Sequence, residues 1–142
     1  MTCLRCGSPL DLVVAIDERG VPTGPGHNYI YDWSRVLSCP SCEHGDLRHF
    51  SHDCWPSEDE IDMEWSTQVS PAGLAVLEEG LALCPDAAVP TCECAVHASL
   101  RESEKGMKRL RLYPRHEEGE RPVVSVALRD DGVPEFIYTP TA

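Results

Sequence analysis

Eight cysteines and six histidines in 142 residues are the groups best able to do chemistry, and most of them fall into two groups with regular spacing. Cys3 and Cys6 form one C-x2-C pair, and Cys39 and Cys42 form another after a gap of 32 residues. Further on, Cys84, Cys92, Cys94 and His97 are spaced C-x7-C-x-C-x2-H. Such stretches serve as disulfide staples, metal sites or reactive centres. The N-terminus "MTCLRCGSPL" lacks the basic and apolar regions of a secretory leader, so the expected address is the cytoplasm. In a reducing compartment, paired cysteines at turn spacing are more often metal ligands than disulfides. A directly bridged C-x-C pair is also strained.

Two residues between cysteines let a tight turn aim both sulfurs at one ion while its amides hydrogen-bond to them. Two such turns complete a tetrahedron. Cys3, Cys6, Gly7, Cys39, Pro40 and Cys42 resemble the zinc-ribbon family in this respect, over about the first third of the chain. The resemblance implies two knuckles at hairpin ends gripping one structural zinc. It implies little about function, because ribbons serve very different proteins. Iron in the same geometry, or two unrelated turn pairs, stay open as alternatives.

The second group would pin two helix ends together. With Cys84, Cys92, Cys94 and His97 all ligating, no position is left for water or substrate, so a closed site of this kind is structural. Two structural Zn²⁺ ions per chain are therefore expected, with no catalytic residue. The alternative is that Cys84 belongs to an apolar stripe and Cys92 and Cys94 are incidental.

The elements that must position these ligands follow from local patterns. Residues 10–17, "LDLVVAID", and the stretch "NYIYDWSRVLS" are β-rich, and "GDLRHFSHDCW" supplies a further strand. Residues 56–64, "PSEDEIDME", crowd acids with little to bury and suggest a solvated linker. Ser70 and Pro71 then suit a helix start, with Leu74, Leu77, Leu81 and Cys84 at helical spacing and Pro85 as a stop. Gly73 and Gly80 weaken this helix by about 1 kcal/mol each. A second helix is expected from about Ala95 to Lys105, with Gly106 beyond its end. Alternation in "KRLRLY" and "VVSVALR", the turn "RDDG" and the return "VPEFIYTP" predict an antiparallel meander.

The expected fold is α+β: a small zinc-stapled protein with an N-terminal β-rich ribbon, a helical hairpin and a C-terminal antiparallel β-meander. In domain terms this is a β lobe over 1–56, an acidic linker over 57–69, and a helix pair plus meander over 70–142, which can pack as one domain. No apolar run reaches the roughly 18 residues of a membrane span.

Net charge is −12, with four basic and twelve acidic residues up to Ser66 and eight and twelve beyond it. Such a surface repels phosphate backbones and attracts basic partners, besides keeping a protein soluble. Trp33, Trp55 and Trp65, with Glu58, Asp59 and Glu60, suit a protein-binding surface, although tryptophans usually pack in cores. An immunity- or inhibitor-type protein acting on a basic partner fits that charge and size.

Two further readings remain. Residues 105–116, "KGMKRLRLYPRH", place Arg109, Arg111 and Tyr113 on a basic strip suited to a nucleic-acid accessory factor, which the net charge opposes. Cys54 lies beyond both groups, near His49 and His52. A Cys54–His52 pair would activate a thiolate, the three together would hold a metal, and a packed small side chain is the plainer reading.

Overall fold

The computed structural model describes residues 2–22, 29–54, 60–109 and 123–137. Strands β1 (Asp11–Pro22), β2 (Tyr29–Ser38), β3 (Gly45–Cys54) and β4 (Glu60–Val69) come first. Helices α1 (Pro71–Leu81) and α2 (Ala95–Arg109) follow, then β5 (Val123–Leu128) and β6 (Pro134–Ile137). The fold is thus mixed α+β. One six-stranded sheet runs in the order β1-β2-β3-β4-β5-β6. Every neighbouring pair is antiparallel except β4 and β5, which run parallel over Gln68↔Val123 and Val69↔Val124.

Period-2 alternation aims one face of the sheet at the helices. Val14, Val36, Leu47 and Thr67 lie side by side across four strands, and Ile16, Ser34 and His49 form the next row. All seven are buried, and Val69, Val124 and Val126 continue the core toward β5. Leu74 and Leu77 of α1 and Val96 and Leu100 of α2 complete it. A register shift between Leu12 and Val14 resets β1, so that Val14 meets Val36 on this inner face.

Helix α1 begins as its sequence requires: Ser70 Oγ accepts the Gly73 amide at 3.0 Å, and Pro71 takes the first helical position. It stops at Leu81, short of the expected Cys84, because the chain tightens into turns in which the Cys84 amide donates to Leu81 O. Gly80 lets the helix lie against β6. A Cβ there would come within 2.6 Å of the Pro134 ring.

The sheet curls until both of its edge strands meet α2. On the β6 side, Ser99 Oγ donates to Pro134 O at 2.8 Å, and the Phe136 amide donates to Ser103 Oγ at 3.1 Å. On the β1 side, His97 Nε2 lies 3.0 Å from Ala15 O, and the Ala15 amide donates to Ala87 O in the α1–α2 loop at 2.9 Å. Side chains and a loop thus satisfy backbone groups that an open edge would expose.

Two expectations are corrected here. Ten residues of the expected acidic linker form β4, because a full ladder with β3, Gly45↔Val69 through Cys54↔Glu60, satisfies their backbone. The expected strand at "KRLRLY" gives way at its start to helix, since α2 continues through Gly106 to Arg109. The good helix formers around Gly106 and the docking of α2 outweigh the roughly 1 kcal/mol that one glycine costs. The tail hairpin appears as expected, with Gly132 at φ 81° and Asp131 Oδ1 accepting the Val133 amide at 3.1 Å.

Candidate metal centres

The two C-x2-C pairs build the same turn twice. In the first, the Gly7 amide donates to Cys3 O at 2.9 Å and the Cys3 amide donates to Ser8 O at 2.8 Å. In the second, Glu43 N to Cys39 O and Cys39 N to His44 O are both 2.9 Å. One knuckle precedes β1 and the other joins β2 to β3, so strand pairing brings them together. Arg48, buried on β3, holds the first knuckle to the sheet: its Nη2 donates to Thr2 O at 2.7 Å.

The result is a compact cluster. Cys3 and Cys42 sulfurs lie 3.6 Å apart, Cys6 and Cys39 3.4 Å, and Cys6 and Cys42 4.0 Å. A sulfur tetrahedron around an ion with bonds of roughly 2.3 Å has edges of about 3.8 Å. A disulfide would need about 2.05 Å. None of the seven cysteines whose side chains are described is in a disulfide.

Cys84, Cys92, Cys94 and His97 make the second cluster, with every ligand atom within 4.8 Å of the others. The loop after α1 supplies Cys84, and the approach to α2 supplies Cys92 and Cys94. His97, in the first turn of α2, is fully buried. Its Nδ1 lies 3.3 Å from Cys84 Sγ and 3.4 Å from Cys94 Sγ, and those sulfurs are 3.5 Å apart. The His97 amide donates to Cys94 Sγ at 3.4 Å. One turn along α2, Arg101 Nη2 donates to Pro90 O and Cys92 O, each at 2.8 Å. This fixes the loop that presents Cys92.

The electrostatics suit a cation. Contact with the Ser8 hydroxyl and amide brings the Cys6 thiol down to about 6, while the Cys39 sulfur, then burial, push Cys42 up to about 12. Amides of Cys6 and Arg5 lower Cys3. In the second cluster burial, chiefly, pushes Cys84 up to about 12. Burial also acts upward on Cys94, but the His97 amide and ring and the neighbouring sulfurs outweigh it and bring that thiol to about 6. Sulfurs this close resist ionising together, and a coordinated metal ion removes the conflict by deprotonating its thiols. Both clusters are compatible with metal sites, and the eight expected ligands are the eight brought together.

The other expected residues fare differently. Trp33 is half-buried, stacked on Phe50 with centroids 5.4 Å apart, and the Arg35 guanidinium lies 4.6 Å from its centroid. Trp55, Glu58 and Asp59 lie outside the described residues, as do Arg111 and Tyr113. Glu60 and Trp65 fall in β4, His52 and Cys54 in β3 and Arg109 at the end of α2, outside the described side chains. His49 turns inward, its Nδ1 2.7 Å from Ser34 Oγ and 2.8 Å from Glu104 Oε1.

Ser34 also hydrogen-bonds to Glu104, making a fully buried network of three residues on β2, β3 and α2. Sequence reading passes over Ser34 and Glu104. The available signal was position: Ser34 and His49 alternate with core Val36 and Leu47, and Glu104 follows Leu100 by four residues.

Among the described residues, no helix is long and apolar enough to cross a membrane. Compared with known proteins, the chain matches no family model, no curated protein and no solved structure.

Proposed function

We propose that this is a non-catalytic zinc protein whose two metal centres are architectural, and that it works by binding a basic protein partner. The observation that carries the first part is closure. Each cluster offers four protein ligands at tetrahedral spacing, which leaves no position for water or substrate. Thiolate-rich sites favour zinc among the common divalent ions, and the amide bonds to the sulfurs, with arginines holding the loop carbonyls, suit a site held in one geometry. The first site has the double-knuckle form of a zinc ribbon.

The second part rests on charge. The chain carries −12 before any metal is counted, and four thiolates around a divalent ion add two negative charges more. Charge of this sign steers a basic protein toward the surface and disfavours nucleic acid. An immunity- or inhibitor-type role, neutralising such a partner, is the reading we favour.

Native mass spectrometry of untagged protein tests the metal content: two zinc ions per chain support it, and paired losses of hydrogen would replace it with disulfides. Affinity capture, followed by titration of the purified captured protein against salt, tests the partner. Binding that weakens steeply with salt and is reduced by the triple change Glu58→Lys, Asp59→Lys, Glu60→Lys supports the reading. Low-salt binding of an oligonucleotide, lost on Arg109→Glu with Arg111→Glu, would overturn it in favour of a nucleic-acid factor.

A further inference from the structure

His97 faces two ways. Its Nδ1 looks into the second cluster, 3.3 and 3.4 Å from two sulfurs, while its Nε2 lies 3.0 Å from the carbonyl of Ala15 on the edge strand β1. A carbonyl can only accept, so Nε2 carries a proton, and in the neutral ring a ligand must be, the Nδ1 lone pair faces the cluster. That is the tautomer a metal-ligating imidazole adopts when a backbone carbonyl holds its other nitrogen. The Ala15 amide, on the same open edge, bonds to Ala87 O in the loop between Cys84 and Cys92. Both backbone groups of one edge residue are thus held by the second cluster's ligand and loop.

We propose that the second centre is a metal-dependent latch on the sheet: occupancy fixes His97 and the 84–92 loop, and through them closes β1 against α2. The proposal rests on the reading that this cluster binds a metal. With the ion bound, imidazole and loop have one orientation, and β1 gains an acceptor and a donor it would otherwise lack. Without it, three thiols and an imidazole anchored only through Nε2 hold the loop weakly, and the edge opens locally while the central strands stay paired. The first centre is tied instead to the knuckles and to β3 through Arg48. His97 is here a positioning residue, and its effect is confined to the β1 edge.

Amide hydrogen exchange on the full-length zinc-loaded protein tests this, with Ala15 as reporter and Leu47, in the middle of the sheet, as control. His97→Cys keeps four ligands but cannot reach Ala15 O as a donor. The loaded loop still offers Ala87 O to the Ala15 amide, but with the Ala15 carbonyl released the edge opens more often: we expect two zinc ions by native mass spectrometry and Ala15 exchange at least about threefold faster, with Leu47 unchanged. Long-range ¹H–¹⁵N spectra of the wild type should show Nδ1 ligated and Nε2 protonated. Wild-type protection of Ala15 in a fully loaded His97→Cys protein, or ligation through Nε2, overturns the proposal. Should His97→Cys fail to fold, Cys92→Ser serves: faster Ala15 exchange, reversed by excess zinc, supports the latch, and unchanged protection after zinc loss overturns it. Failure of the underlying metal reading looks different: the wild type would carry at most one zinc, and chelation would leave Ala15 exchange unaltered.

Discussion

Glu43 occupies in the second knuckle the place that Gly7 occupies in the first: both have positive φ, 60° and 75°, and each donates its amide to the carbonyl of the first cysteine of its pair. Left-handed backbone costs a residue with a Cβ roughly 1–2 kcal/mol and costs glycine almost nothing. The protein bears that strain at Glu43, whose side chain is exposed. Glu43→Gly should therefore raise stability, by up to about 1 kcal/mol after glycine's greater loss of chain entropy. Gly7→Ala should lower it by about 1 kcal/mol, and for backbone reasons only, because a Cβ at Gly7 meets nothing within 4 Å. Denaturant unfolding of both zinc-loaded variants checks the pair, and effects of the same sign would refute the equivalence of the knuckles.

Gly80 is a different case. In isolation, alanine would favour the helix by about 1 kcal/mol. Here the added carbon would lie 2.6–2.9 Å from three atoms of the Pro134 ring, which is rigid and belongs to β6. Overpacking of this kind costs about 1–3 kcal/mol, so Gly80→Ala should be net destabilising despite the better helix former. Thermal unfolding of Gly80→Ala alongside Gly80→Ala with Pro134→Ala separates the terms, since removing the ring should recover part of the loss.

Glu104, His49 and Ser34 meet in the interior, where an acid is costly unless its hydrogen bonds are met. The network fixes α2 over β2 and β3, with ion-pair geometry between Glu104 Oε1 and His49 Nδ1 at 2.8 Å. Removing one partner of a buried pair costs about 3–5 kcal/mol, because the other is left in a low-dielectric site. Glu104→Ala should approach that range, whereas Ser34→Ala should cost about 1 kcal/mol, as loss of a neutral hydroxyl does. A double-mutant cycle between Glu104→Ala and His49→Ala should show strong coupling. Additive losses would mean that the two residues act separately.

Both metal clusters are legible in the sequence because ligand spacing is local information: C-x2-C and C-x-C-x2-H leave few geometries. Strand β4 was hidden by its acids. Its sequence alternates Ile61, Met63, Trp65 and Val69 with Glu60, Asp62, Glu64 and Gln68, a period-2 pattern that charge density obscures. The extension of α2 through Gly106 depends on docking to two sheet edges, and no local rule contains that. The Ser34–His49–Glu104 network is likewise invisible, since its members lie 15 and 55 residues apart. Only the register of β2 on β3, with α2 laid across them, brings the three together.

Metal removal gives the last prediction. Thiols must lose their protons to ligate, so loading releases protons and affinity falls as pH falls. Zinc should stay bound near neutral pH and be lost under mild acid, with local disorder following metal loss. The two centres should not behave alike. The first joins the N-terminal knuckle to a four-strand ladder that has its own pairing, whereas the second holds loops and a helix end with little else to order them. Loss of the second ion should therefore disorder mainly the 82–97 region and the β1 edge, and loss of the first should free the N-terminal knuckle. Cobalt substitution, which colours thiolate sites, allows each to be followed in Cys6→Ser and Cys92→Ser proteins during acid titration alongside circular dichroism. If both variants lost helix and strand together at one pH, the centres would be parts of a single cooperative unit, and separate local roles would be ruled out.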